Sequence, residues 1–181
     1  MSKQLDQIVV VDIEATCWAS KQERGDQQME IIEVGICVLD VKTGKRVKKE
    51  SIIVKPVNST VSEYCTELTS LTQEDVDKGI SFEEACAHIT KTYGRKRTWA
   101  SWGDYDRRQF ERECKSKGVK YPFGITHLNV KNLFALREIL PREVGMEAAL
   151  KYLGEELEGI HHRGIDDANN IALILSITLQ E

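Results

Sequence analysis

Ile8-Val9-Val10-Val11 runs straight into Asp12-Ile13-Glu14. Four consecutive β-branched residues favour extended backbone. A run with no polar alternation is the pattern of a strand buried on both faces. Such a strand needs neighbours on each side and covering layers above and below, and here it ends in two carboxylates. Residues i and i+2 of a strand point the same way, so Asp12 and Glu14 face one side at the rim of the core. Like charges held that close are costly unless a cation is shared between them. A hard divalent ion with oxygen ligands meets that need. An isolated D-x-E is also what a strand looks like where it meets water, so the pair needs partners from elsewhere in the chain.

Further elements follow in order. Glu30–Asp40 (EIIEVGICVLD) reads as a second strand, residues 40–46 (DVKTGKR) as a turn, and Val47–Val54 as a third strand in an antiparallel meander. Beyond Lys55-Pro56 the pattern becomes helical. Ser81 and Glu84 have capping-box spacing ahead of Phe82, Ala85, Ile89 and Tyr93. Residues 97–102 (RTWASW) read as a strand in which Trp99 and Trp102 pack the sheet, residues 104–117 as a charged helix, and residues 126–130 as a short strand. Two helices close the chain, one carrying Met146, Ala149, Leu150 and Leu153, the other covering about residues 165–179. This order predicts an α/β fold, a mixed sheet flanked by helices on both faces, with ligands bound beyond the carboxyl ends of its central strands.

The 181 residues contain no repeat, low-complexity tract or linker and read as one domain, 1–181. No run approaches the ~18 apolar residues of a membrane span, and the polar start, MSKQLDQ, lacks a secretory layout. The expectation is a cytoplasmic protein without membrane contact. Five scattered cysteines, an odd number with no C-x-x-C pair, argue against a disulfide framework or zinc knuckle. Cys86 and Cys114 fall in helical apolar patterns and read as core residues.

Two further segments carry candidate chemistry. In residues 161–171 (HHRGIDDANNI), helical spacing aligns Asp167 with Ile171, Ile174 and Thr178 on the apolar face. Asp166 lies about 100° around the helix, facing water or supporting the helix start. His162 sits on the preceding loop, and a group that titrates near neutral pH suits a base that activates water. The alternative is that both histidines are exposed loop residues. In residues 102–110 (WGDYDRRQF), Asp106 aligns with Phe110 and Cys114 and points inward, whereas Asp104 is better explained as an N-cap.

VVVDIEATCW, WGDYDRRQF and HHRGIDDANNIA together resemble the three exonuclease motifs of the DnaQ-like DEDDh superfamily. The resemblance covers roughly residues 7–177. DIEATC, EIIEVG, CTELTSLT and HHRGIDDANNIA are most similar to its histone-mRNA and small-RNA 3′-exonuclease (enhanced-RNAi-type) branch. The family's D-x-E falls on Asp12 and Glu14, its second-motif aspartate on Asp106, and its H-x4-D on His162 and Asp167, the same residues that the helix faces select.

The resemblance implies an RNase H-like five-stranded sheet. It also implies two divalent ions, Mg²⁺ or Mn²⁺, with Asp12, Glu14 and Asp167 anchoring one, Asp12 bridging to the second, and Asp106 holding the second directly or through water. His162 is then the general base of a 3′→5′ exonuclease that releases nucleoside 5′-monophosphates. Tyr105, Tyr64, Trp18, Ala15 and Thr16 are the implied substrate contacts. The implied partner is single-stranded nucleic acid, RNA favoured over DNA, with oligomeric state open. Glu30 and Glu33 match no ligand position of the family and read as surface or strand-pairing residues. The sequence as given lacks the N-terminal RNA-binding extension of some relatives, which leaves targeting open. An inactive nucleic-acid-binding module, a DNA-directed exonuclease and a metal hydrolase acting on a small phosphoester are the alternatives.

The net charge of −4 does not advertise a nucleic-acid binder. Basic residues nevertheless cluster in residues 42–49 (KTGKRVKK), in residues 95–97 (RKR), and as Arg107, Arg108, Arg112, Lys115 and Lys117. Each cluster can equally be a solvated face.

Overall fold

The computed structural model describes residues 4–180; Met1–Lys3, part of the polar N-terminal segment, and Glu181 lie outside it. The β-branched run forms the middle of β1 (Gln4–Ala15), the central strand of a five-stranded sheet. β2 (Ile31–Asp40) and β3 (Arg46–Ile53) extend it as the expected antiparallel meander. β4 (Arg97–Ser101) and β5 (His127–Asn129) add parallel on the other side, giving the order β3-β2-β1-β4-β5.

Both faces are covered, which is why β1 is apolar on both. Val9, Val11 and Ile13 pack toward α4 (Phe82–Tyr93) and α5 (Tyr105–Lys117) through Phe82, Ile89 and Phe110. The capping box of Ser81 and Glu84 starts α4 as expected, and Cys86 and Cys114 are buried in this layer. Ile8 and Val10 pack toward α6 (Val130–Arg137), α7 (Met146–Leu153) and α8 (Gly164–Gln180) through Phe134, Leu150 and Ile171. Three short helices, α1 (Lys21–Arg24), α2 (Glu63–Thr69) and α3 (Gln73–Asp77), lie in the connections; Cys65, Leu71 and Val76 form a smaller cluster with Ile32.

The sequence reading missed α6. The helix begins at the residue after β5 with no loop between them, and its start is marked only by Asn129, whose side chain accepts the Asn132 amide at 3.0 Å. A change of period without turn residues leaves little local signal.

Two glycines bring α8 against the sheet. A Cβ on Gly35 of β2 would lie 1.8 Å from the carbonyl carbon of Gly164, and one on Gly164 would lie 3.1 Å from the Asp12 carbonyl oxygen. Backbone therefore meets backbone at this crossing, and the first turn of α8 sits directly over the end of β1.

Candidate active site

β1 runs past its last paired residue with β4, Val10 opposite Ala100. The Ile13 amide is left without a strand partner on that side, and it donates to Asp106 Oδ1 at 3.0 Å. Asp106 stands in the first turn of α5, facing inward and buried as the helix face requires. Asp12 and Glu14 project on the α8 side of β1, where Gly164 lets α8 approach, and Asp167 lies one turn into that helix. Carboxylates from β1, α5 and α8 thus line one cleft of about 350 Å³, together with Trp102, Tyr105 and both histidines.

The charges repel. Burial pushes the Asp12 carboxyl well above its usual range, with Asp106 and Glu14 adding to the effect. Burial, then the neighbouring Asp167 and Glu33, push Glu14 up to about 9. Asp106 rises to about 6 by burial, opposed by the hydrogen bond from the Ile13 amide. Asp167 is raised by burial and held back by His161. Each group is short of positive charge. Asp12, Glu14 and Asp167 can bring one oxygen each within 4.8 Å of one another, a donor set suited to a hard divalent cation.

The loop before α8 folds around Asp167. The His162 amide donates to Asp167 Oδ2 at 2.9 Å, and His161 Nδ1 lies 3.1 Å from both carboxylate oxygens. His162 adopts φ 64°, a left-handed conformation uncommon outside glycine. Its ring stacks on His161 with centroids 3.9 Å apart. Burial, and then His161, hold the His162 imidazole below its ordinary range, so it is neutral near pH 7. Spacing along the chain did not single out His161; the turn at His162 brings it to Asp167. Asp166 points away and accepts the Ile160 amide at 3.0 Å, supporting the helix start.

Two expectations are corrected, the surface placements of Glu33 and Glu30. Glu33 is strand-paired, opposite Glu14 in the β1–β2 register and Ile53 in the β2–β3 register, but it is not at the surface: it is 0% exposed. It accepts Ser51 Oγ at 2.6 Å, Arg163 Nε at 3.2 Å and the Gly164 amide at 3.0 Å, so it ties the histidine loop to the sheet. Glu30 is likewise buried, pairing with Lys117 at 2.8 Å and accepting the amides of Val57 and Asn58. Nothing near either residue in the chain marked them as buried, because their neutralising partners, Lys117 and Arg163, come from distant segments. Asp104 holds the N-cap position of α5 as expected, although its side chain makes no capping bond and pairs with Arg107 at 3.1 Å. Trp102, just past the end of β4, packs against the sheet-side core of Ile8, Val10 and Ala100 as expected, reaches Phe134 with centroids 6.2 Å apart, and also lines the cleft.

The implied substrate contacts divide. Tyr105 lines the cleft and is 49% exposed. Trp18 lines a separate hollow of about 340 Å³ with Lys21, Arg24 and Met29. Tyr64, on α2, is exposed and stands outside the cleft wall. Ala15 is buried and its carbonyl accepts Cys65 Sγ at 3.7 Å. Thr16 is fully buried, its hydroxyl 3.0 Å from Ser59 Oγ and accepting the Glu30 amide at 3.0 Å. That side chain braces the loop and does not face the cleft.

Strand-end carboxylates joined by an aspartate and histidines at a helix start, on this sheet, define an exonuclease of the DEDDh class. The chain belongs to it: the Exonuclease family model (RNase_T) matches residues 9–175. Human ERI1 exoribonuclease 2 is 30% identical over 96% of this chain, and rat 3′-5′ exoribonuclease 1 is 29% identical over 97%. The chain spans only 28% and 54% of those two proteins. The nuclease domain of 3′hExo, a DEDDh family member solved bound to rAMP, superposes with a TM-score of 0.88 at 27% identity, covering 99% of this chain and 94% of that one. Cell-death related nuclease 4 (CRN-4), 22% identical with a TM-score of 0.82, shares the fold. The mixed five-stranded sheet is therefore of the RNase H-like nuclease type. Among the described residues, no helix is long and apolar enough to cross a membrane.

Proposed function

We propose that this chain is a single exonuclease domain that removes nucleoside 5′-monophosphates from the 3′ end of single-stranded nucleic acid, RNA in preference to DNA. The observation that carries the reading is the convergence of Asp12, Glu14, Asp106 and Asp167 on one cleft that also holds His162. Two divalent ions, Mg²⁺ or Mn²⁺, held by these four carboxylates, would supply Lewis-acid activation of water and neutralise charge at the scissile phosphate.

In this reading His162, neutral near pH 7, takes the proton of the attacking water. Glu33 and Asp167 hold the loop that presents it. Tyr105 stacks on the terminal base, a contact worth about 1–3 kcal/mol in single-strand binders. Trp18, Tyr64 and Ala15 are assigned to neighbouring contacts, with Thr16 shaping the loop between them. The RNA preference is supported by relatives named exoribonucleases and by the rAMP bound to 3′hExo. Five free thiols fit a reducing compartment, in this reading the cytoplasm.

The test uses 5′-labelled RNA and DNA of matched sequence with Mn²⁺. The expected result is a ladder shortening one nucleotide at a time from the 3′ end, faster on RNA, and lost in Asp12→Ala or in EDTA. Activity that survives either change sinks the mechanism. Binding without shortening makes the chain an inactive module, and equal rates on the two strands remove the RNA preference.

A further inference from the structure

The outer face of α5 separates into two halves. Arg107 is neutralised by Asp104 at 3.1 Å and Glu111 at 3.8 Å. At 100° per residue, Tyr105, Arg108, Arg112 and Lys115 fall on the other half within an arc of about 80°. Arg108 is 74% exposed and only grazes Asp104 at 4.0 Å. Arg112 and Lys115 are exposed, and among the described residues neither has a carboxylate within ion-pair distance.

Arg46, Lys48, Lys55, Lys78 and Lys131 elsewhere on the surface are each paired with a carboxylate, to Glu158, Glu50, Asp77, Glu74 and Glu143. What sets the stripe on α5 apart is its place: three exposed cations in a row, two of them without an ion pair, that lead away from the cleft of a chain carrying −4. It begins at the cleft, because Tyr105 is a cleft residue and Arg112 is near enough to act on the Tyr105 phenol. At 1.5 Å rise per residue, the three cations stand about 4.5, 10.5 and 15 Å beyond Tyr105 along the helix. A polar hollow of about 270 Å³ flanks the stripe, with Gln28, Asn58, Arg112 and Ser116 among its walls. Its own charges are Asp26, Glu30 and Glu113 against Arg112 and Lys117, which does not make it an anion site.

We propose that Arg108, Arg112 and Lys115 form a track for the phosphates of the nucleotides upstream of the scissile bond, so that a single strand leaves the cleft past Tyr105 and runs along α5. The occupant is the continuous polyanion whose 3′ end sits in the cleft, and the proposal rests on the exonuclease reading for that 3′ end. Phosphates are drawn to such a row by charge alone, without reading sequence. The track therefore adds affinity for length and leaves the chemical step untouched.

The experiment compares wild type with the triple variant Arg108→Ala, Arg112→Ala, Lys115→Ala in the full chain with Mn²⁺. Substrates are a dinucleotide and an octanucleotide of the same 3′ sequence. The track predicts a loss of about 10-fold or more in kcat/KM on the octamer, carried by KM, with the dinucleotide unchanged. Octamer binding is then measured by fluorescence anisotropy with Ca²⁺ in place of Mn²⁺. The slope of log affinity against log salt should become shallower by about 0.7 for each phosphate contact removed. Equal losses on dimer and octamer, or an unchanged salt slope, overturn the track. A wild type that cleaves neither substrate while the variant still shows the weaker, less salt-dependent binding would sink the exonuclease reading and leave the track standing.

Discussion

Gly35→Ala tests whether the contact of α8 with β2 sets the active-site geometry. The new Cβ would fall 1.8 Å from the carbonyl carbon of Gly164, 1.9 Å from its oxygen and 2.2 Å from the Ile165 nitrogen. All three are backbone atoms, so no change of rotamer relieves the overlap and the helix start must move. Restoring even a tight 3.4 Å contact displaces it by roughly 1.5 Å, and a misplacement of about 1 Å at a catalytic group costs on the order of 10²-fold in rate. Asp167 and His162 lie three residues after and two before Gly164 and travel with it, whereas Asp12 and Glu14 stay on β1. Overpacking costs about 1–3 kcal/mol, less than the roughly 5–15 kcal/mol that stabilises a domain, so the variant should still fold. Stepwise shortening of RNA with Mn²⁺ and thermal unfolding are measured together. The expected result is a rate loss of about 100-fold or more with Tm lowered by several degrees. Gly145→Ala is the control: Gly145 lines the same cleft at the N-cap of α7, but its Cβ would meet nothing within 4 Å, so turnover should be kept while the poorer cap costs about 1 kcal/mol. A Gly35→Ala enzyme with wild-type turnover would refute the claim that this backbone contact positions Asp167.

Among paired aspartates, Asp106→Asn and Asp167→Asn are expected to abolish turnover while Asp104→Asn and Asp166→Asn keep most of it; the reverse pattern in the same assay would reassign the site. Glu33→Gln breaks the ion pair with Arg163 but keeps an acceptor for the Gly164 amide. It should cost about 1–3 kcal/mol in denaturant unfolding and lower kcat more than it changes KM, and equal effects on both would deny Glu33 its hold on the histidine loop. Metal and pH are linked through the carboxylates. Because the folded-state pKa values of Glu14 and Asp106 are raised to about 9 and about 6, their contribution is fully present only below the unfolded values near 4 and is lost as pH rises through the raised ones. Metal-free protein should therefore lose stability between about pH 4 and pH 9, and the Tm gain on adding Mn²⁺ should grow across pH 5–8. A gain that is flat with pH would mean that these carboxylates are not the ligands.

Much of the site could be read from the chain because its logic is local. A β-branched run ending in D-x-E forces two carboxylates to the rim of a buried strand, and helical period alone selects Asp106 and Asp167 as inward-facing. The antiparallel meander of β1, β2 and β3, the helices on both faces and the capping box at Ser81 followed from period and turn chemistry for the same reason, whereas the parallel pairing of β4 with β1 did not. Helix α6 did not, because it follows β5 without a turn residue to mark the change.

What tertiary structure decided was where charge is neutralised and which loop wraps which carboxylate. Glu33 looks like a solvent-facing strand residue until Arg163 and Gly164, 130 positions away, arrive to partner it. His161 meets Asp167 through a left-handed turn at His162, and left-handed backbone at a non-glycine residue has no signature in spacing. Convergence itself rests on Gly35 and Gly164. Each is unremarkable in its own segment, and only their contact across 129 positions brings α8 down to the end of β1. Periodicity reports which way a side chain points; long-range packing decides what it meets there.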